Sequence, residues 1–223
     1  MDNIIYILFV SIFVPVMLMA LLVEKKARLP ILFLLLGIFV SVFAAEVNGL
    51  LSKLLSLGRY EMTVVVTPVT EEILKALPIL YYAVVISDQK EKLFTASMAT
   101  GVGFAVLENA FYLLSYPNFS MLSAVIRAFG AGLMHGMCTL LVGVGISFVK
   151  KKRKLFAVGT FGLLSTAIVY HGIYNILIQS EFSIAGALLP IATYIPFFIW
   201  RLMIKYRRST QTAGKEQALK KGT

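Results

Sequence analysis

Seven apolar runs, separated by short polar punctuation, dominate this chain: Ile4 to Val23, Pro30 to Leu51, Met62 to Ile86, Leu93 to Tyr116, Met121 to Val149, Leu155 to Gln179 and Ser183 to Ile204. A bilayer core takes about 20 apolar residues in helical form. Seven such runs in 223 residues leave short connections and no room for a separate soluble domain. The composition agrees: 59% of residues are hydrophobic and 14% charged, where soluble domains carry about 45–50% and about 25%. The expectation is an all-α membrane protein, a polytopic bundle of about seven transmembrane helices, or eight where one is broken. Residues 1–204 form a single membrane domain with a core at 62–179, and 205–223 a basic tail. That tail is poor in large apolar residues, and we expect it to be disordered and held near anionic lipid headgroups.

The placement of charge sets the topology. Twenty-one Lys and Arg against eleven Asp and Glu give a net charge of +10. Lys25, Lys26 and Arg28 lie in the first connection, Lys90 and Lys92 in the third, and the run Lys150 to Lys154 in the fifth. Seven more lie in the tail from Arg201, whereas the second connection has only Lys53 and Arg59 and the N-terminus and the fourth and sixth connections have none. By the positive-inside rule the N-terminus is outside and the C-terminus cytoplasmic in a cell-membrane protein. The same rule reads the Lys150 run as a topology determinant and not as a nucleic-acid patch. Asp2 and the lack of a basic start make the first run an uncleaved span and not a signal peptide. Cys138 is the single cysteine, which excludes an internal disulfide and any Cys-rich metal site.

Ionisable side chains cost several kcal/mol at mid-bilayer and are functional candidates by default. They gather here: Glu71, Glu72 and Lys75 in the third span, Glu108 beside Asn109 in the fourth, Arg127 and His135 in the fifth, His171 with Asn175 in the sixth. In a helix Lys75 is one turn from both glutamates and can pair with one while the other stays available. His171 and Asn175, at i and i+4, would present two polar groups to one small space. Counted from the outer ends at about 1.5 Å per residue, Glu71 and Glu72 lie roughly 14 Å deep, Glu108 and His171 roughly 12 Å, and Asn175 roughly 6 Å. His135, at roughly 20 Å, is deeper. Arg127, Glu46 and Asn48 are placed at the interface, as are Tyr116, Tyr194, Trp200 and Tyr206.

Backbone breakers sit beside the charges. Thr67 and Pro68 form an N-cap and N1 pair that would restart a helix just ahead of the glutamates, and Pro78 would free the Leu74 carbonyl. Gly132 and Gly136, with Ala128 one turn earlier, would let a neighbouring helix approach closely around His135.

Glu71-Glu72-x-x-Lys75, Phe104-x-x-x-Glu108-Asn109, the lone His135 and His171-Gly172-x-x-Asn175 together resemble the PrsW family of intramembrane proteases, in the superfamily of the CAAX prenyl endopeptidases and bacteriocin self-immunity proteins. The resemblance runs in order from Glu71 to Asn175. It implies a peptidase that cleaves membrane-anchored anti-sigma factors on their extracytoplasmic side. The prenyl endopeptidases have a histidine where this chain has Glu108, and arginine in place of Lys75, so their mechanism does not transfer directly.

For such a reaction Glu71 is the expected general base and Glu108 shares its proton or orients the water. His171 and Asn175 polarise the carbonyl, Lys75 holds the Glu pair, His135 is a further donor or a metal ligand, and Asn109 and Phe104 support the site. If the enzyme is metal-dependent, Glu71, Glu108, His135 and His171 are the ligand set and Zn²⁺ the metal. No His-Glu-x-x-His helix is present and Lys75 lies one turn from the proposed ligands, so a metal-free glutamate mechanism is favoured. Two alternatives compete: a proton- or cation-coupled transporter, which would need a polar path to the inner face, and a catalytically silent scaffold of the same fold.

Overall fold

A computed structural model describes residues 3–115, 120–150 and 153–221. The described residues form helices joined by short turns, with no strand among them: α1 (Ile4–Leu22), α2 (Lys25–Leu55), α3 (Arg59–Glu61), α4 (Thr67–Tyr81), α5 (Lys90–Ser115), α6 (Met121–Ile146), α7 (Arg153–Ile178) and α8 (Ser183–Lys221). Six of these are long and apolar enough to cross a membrane. The remaining expected span, Met62 to Ile86, is α4 with a π-helical stretch on each side, Met62–Val66 and Tyr82–Ile86. Tyr116 falls outside the described residues.

Pro68 explains the first π stretch. A proline in α register has no N–H for the carbonyl four residues back, and its ring collides with it. Here Thr67 has helical dihedrals, φ −58° and ψ −47°, and its N–H bonds five residues back to the Met62 carbonyl. The expected N-cap at Thr67 is therefore corrected: the helix does not restart but widens, and passes through the proline without a break. Such π turns are frequent at functional sites.

α8 runs from Ser183 past Ile204 to Lys221.

α4 sits at the centre, packed against α2, α5, α6 and α7. α6 is flanked by α4, α5, α7 and α8, while α1 leans on α2 and α5. The core between them is built from Ile79, Leu93, Ala96, Met134, Cys138, Val142, Ala167 and Tyr174. Outward faces carry large apolar side chains such as Ile7, Leu18, Leu54, Phe129 and Phe161, as lipid contact requires.

Small residues set the closest approaches, at Gly136 as expected and at further positions besides. A Cβ on Gly37 of α2 would collide with the Thr100 carbonyl of α5, and one on Gly103 of α5 with the Leu34 carbonyl of α2. The two helices thus meet backbone to backbone in reciprocal fashion. Gly136 lies against Gly101 across the α5–α6 contact, but Gly132 faces open space and brings no helix close.

Candidate active site

The bundle directs polar side chains from four helices to one point. α5 and α6 are antiparallel, since Ser97 lies against Gly143, Gly101 against His135, and Glu108 against Arg127. α4 and α7 are antiparallel as well, with Thr63 against Asn175 and Glu72 against His171. Side chains in a helix tilt toward its N-terminus. Those of α4 and α6 therefore lean toward one membrane face, and those of α5 and α7 toward the other. His135 illustrates the consequence: its backbone is level with Gly101, about two turns from Glu108. Yet its Nε2 lies 2.9 Å from Glu108 Oε2. The expectation that His135 lies deeper than the cluster is corrected for its side chain, which joins it.

At the deep end Lys75, 0% exposed, donates to Glu72 Oε1 at 2.6 Å. It also lies 2.9 Å from His135 Nδ1. His171 Nδ1 lies 2.8 Å from the same Glu72 oxygen. Phe104 closes this end: Lys75 Nζ stands 4.6 Å from its ring centroid, and the His135 ring 5.0 Å. The two imidazoles meet edge to face at 4.9 Å. Glu72 is thus the glutamate that Lys75 holds. Glu71 is buried, its Oε2 without a hydrogen-bond partner and 3.9 Å from His171 Nε2.

Donor chemistry fixes the imidazole protons. An ammonium group only donates, so His135 Nδ1 accepts and its proton is on Nε2, which donates to Glu108. A carboxylate only accepts, so His171 carries a proton on Nδ1, and in the neutral ring the lone pair is at Nε2, toward Glu71.

The outer end is looser. Glu108 also faces Arg127 Nη2 at 3.4 Å, with the two side chains 19% and 14% exposed. The Arg127 guanidinium lies 3.6 Å over the Tyr112 ring. Sequence reasoning left Arg127 at the interface and did not single out Tyr112. The available signal was that Glu108 and Tyr112 are i and i+4 on one face of α5, a carboxylate and an aromatic ring that together suit a guanidinium.

Asn175 does not share the space of His171. Its Nδ2 donates to the Thr63 carbonyl at 2.9 Å, one turn further along α7, so the expectation of two polar groups on one target is corrected. Asn109 Oδ1 is buried without a partner. Glu46 accepts from Tyr6 across the α1–α2 contact.

Glu71, His135 and His171 each bring one ligand atom within 4.8 Å of the others. The donor types suit zinc, and the Glu72 carboxylate on His171 Nδ1 is the kind of support that orients a metal-bound imidazole. The set fits a metal, on the condition that His135 gives up the Nε2 proton it directs at Glu108.

A family model described as PrsW family intramembrane metalloprotease matches residues 25–201. No curated relative and no solved structure matches the chain.

Proposed function

The chain belongs to the PrsW family of intramembrane proteases, and from that premise we propose that it hydrolyses a peptide bond of a membrane-anchored protein, an anti-sigma factor, on the extracytoplasmic side. The observation that carries the reading is the asymmetry of the glutamate pair. Glu72 is bound to Lys75 and His171, whereas Glu71 Oε2 is buried, without a hydrogen-bond partner and 3.9 Å from His171 Nε2.

In this reading Glu71 takes the proton from an attacking water, and His171 Nε2 brackets the same position. Lys75 holds His135 as a donor at Nε2, which can turn from Glu108 to an oxygen that gains charge during attack. Glu108 stands between His135 and Arg127 and returns that proton network to rest. The histidine that prenyl endopeptidases place in the second motif is replaced here by His135, reaching across from α6.

A glutamate mechanism is favoured because Lys75 commits the His135 proton to Nε2, and a metal would have to displace it. If a metal is bound, Glu71, His135 and His171 would hold it, with Glu108 beside them, and it would supply Lewis acidity to the carbonyl and water.

The proposed orientation rests on charge and depth. Glu71, Glu72, Glu108 and His171 fall in the half of their spans opposite the connections richest in Lys and Arg. In this reading the positive-inside rule supports an N-terminus outside and a C-terminus in the cytoplasm of the cell membrane, with anionic lipid at the basic face.

The test is co-expression with single-span anti-sigma factors, comparing the parent with Glu71→Gln, Glu108→Gln and His171→Ala. Loss of a positioned base typically costs about 10²–10⁴-fold, so cleavage should fall by that order for Glu71→Gln. Three stably produced variants that still cut as the parent does would overturn the site assignment. Retained cleavage in chelator, with no metal in the purified protein, would select the glutamate mechanism. Activity that disappears in chelator and returns with zinc would reject it.

A further inference from the structure

Pro68 creates a second problem besides its clash, and α7 solves it. In the π register that runs into the proline, Thr67 N–H is already used on the Met62 carbonyl. The next carbonyl, that of Thr63, would accept from residue 68, which is proline and has no N–H. A buried carbonyl without a donor costs free energy and is rarely left so. The missing donor comes from Asn175 Nδ2, at 2.9 Å. The next residue makes the same helix pair close: a Cβ on Gly172 would stand only 3.0 Å from the Val64 carbonyl oxygen. Gly172 thus lets α7 lie against the π turn, and Asn175, one turn on from His171, fastens it there.

We propose that Asn175 is a positioning residue, the donor for the carbonyl that Pro68 orphans, and that it holds Glu71 and Glu72 in register with His171. It acts through the backbone of the π turn and does not itself touch the reacting groups. The arrangement gives the His171-Gly172-x-x-Asn175 pattern a physical division of labour. His171 reaches the glutamates, Gly172 permits the approach, and Asn175 locks it to the segment from which those glutamates project. A short amide suits the task because it must donate to a backbone oxygen. The isosteric carboxylate cannot.

The activity readout rests on the peptidase reading, and the structural readout does not. The full-length parent, Asn175→Ala, Asn175→Asp, Pro68→Ala and Pro68→Ala/Asn175→Ala are compared for cleavage of a single-span anti-sigma factor that the parent cuts, and for Tm in detergent. Small misplacements of a catalytic group can cost about 10²-fold. Asn175→Ala and Asn175→Asp should therefore lose about tenfold or more in cleavage and melt below the parent. Alanine at 68 restores an N–H, so the double variant should recover to within about threefold of Pro68→Ala. An Asn175→Ala defect that is undiminished in the Pro68→Ala background would overturn the proposal and favour direct contact between Asn175 and substrate.

If the parent cuts none of the anti-sigma factors, the peptidase reading fails and Tm decides the clamp alone. Losses that do not add in the double variant support it, and fully additive losses overturn it. Should Pro68→Ala fail to fold, amide exchange over residues 62–71 replaces the cycle. Exchange quickened there by Asn175→Asp more than in α5 and α6 supports the clamp, and an unchanged pattern removes it.

Discussion

The two ends of the polar cluster are built from the same residue types and differ in access to solvent. At the deep end Lys75 and Glu72 are both 0% exposed, and the ammonium is enclosed by a carboxylate, an imidazole nitrogen and the Phe104 ring. At the outer end Glu108 and Arg127 retain some exposure and a longer contact of 3.4 Å. A fully desolvated pair holds its geometry rigidly but is costly to disrupt, because removing one partner strands the other. A partly wet pair contributes little stability and can rearrange. The cluster therefore divides into an anchor and a movable edge. Glu71 and His135 lie between them, supported by the first and facing the second.

Lys75→Met attacks the anchor and should have the largest effect. It leaves Glu72 buried with His171 as its remaining partner, which typically costs about 3–5 kcal/mol, and it removes the donor that sets the His135 proton. Thermal unfolding in detergent should show the loss. The paired change Lys75→Met/Glu72→Met should recover much of it, because two apolar groups leave no stranded charge. A Lys75→Met chain as stable as the parent would mean that the deep end is not a desolvated ion pair.

Phe104→Leu probes the same end more gently. It keeps bulk but removes the ring face beneath the ammonium and the contact with His135. Desolvated cation–π contacts are worth about 2 kcal/mol, so a loss of about 1–3 kcal/mol is expected, packing included. In a double-mutant cycle with Lys75→Met most of that loss should vanish. Additive effects would assign Phe104 to packing alone.

Much of this anchor was legible before any coordinates. The helical spacing of Glu71, Glu72 and Lys75 foretold that one glutamate would be paired and the other free, and the cost of burying charge foretold that the four motif-bearing helices would bring their polar groups together. What was not legible depends on direction and on non-local donors. Counting 1.5 Å per residue locates a Cα, but His135 and Glu108 lean toward each other from antiparallel helices, and the count carries no such term. Pro68 advertises a backbone disturbance. Whether it ends the helix or widens it depends on a donor for Thr63, and that donor lies on a helix more than a hundred positions later, at Asn175. Arg127 was judged from its nearness to a span end, although the antiparallel register of α5 and α6 sets it level with Glu108 and beside Tyr112.

Arg127→Gln tests the movable edge and should change stability least. The pair it breaks is partly wetted, and such contacts contribute about 0–1 kcal/mol, so its melting should stay within about 1 kcal/mol of the parent. Its effect on cleavage should exceed its effect on folding. Glu108 would keep His135 as partner but lose the cation that draws it toward Tyr112, leaving the carboxylate free to settle on the donor that the substrate oxygen needs. A fall in kcat of about tenfold with KM little changed would fit that competition. Arg127→Lys separates charge from stacking: the ammonium can approach Glu108, yet it lacks the flat guanidinium that lies over the Tyr112 ring. Recovery by lysine would make charge the operative property. Failure of lysine to recover would make it the fixed orientation that Tyr112 imposes. If Arg127→Gln instead unfolds the chain as readily as Lys75→Met does, the distinction between anchor and edge collapses, and the whole cluster must be regarded as one buried structural network.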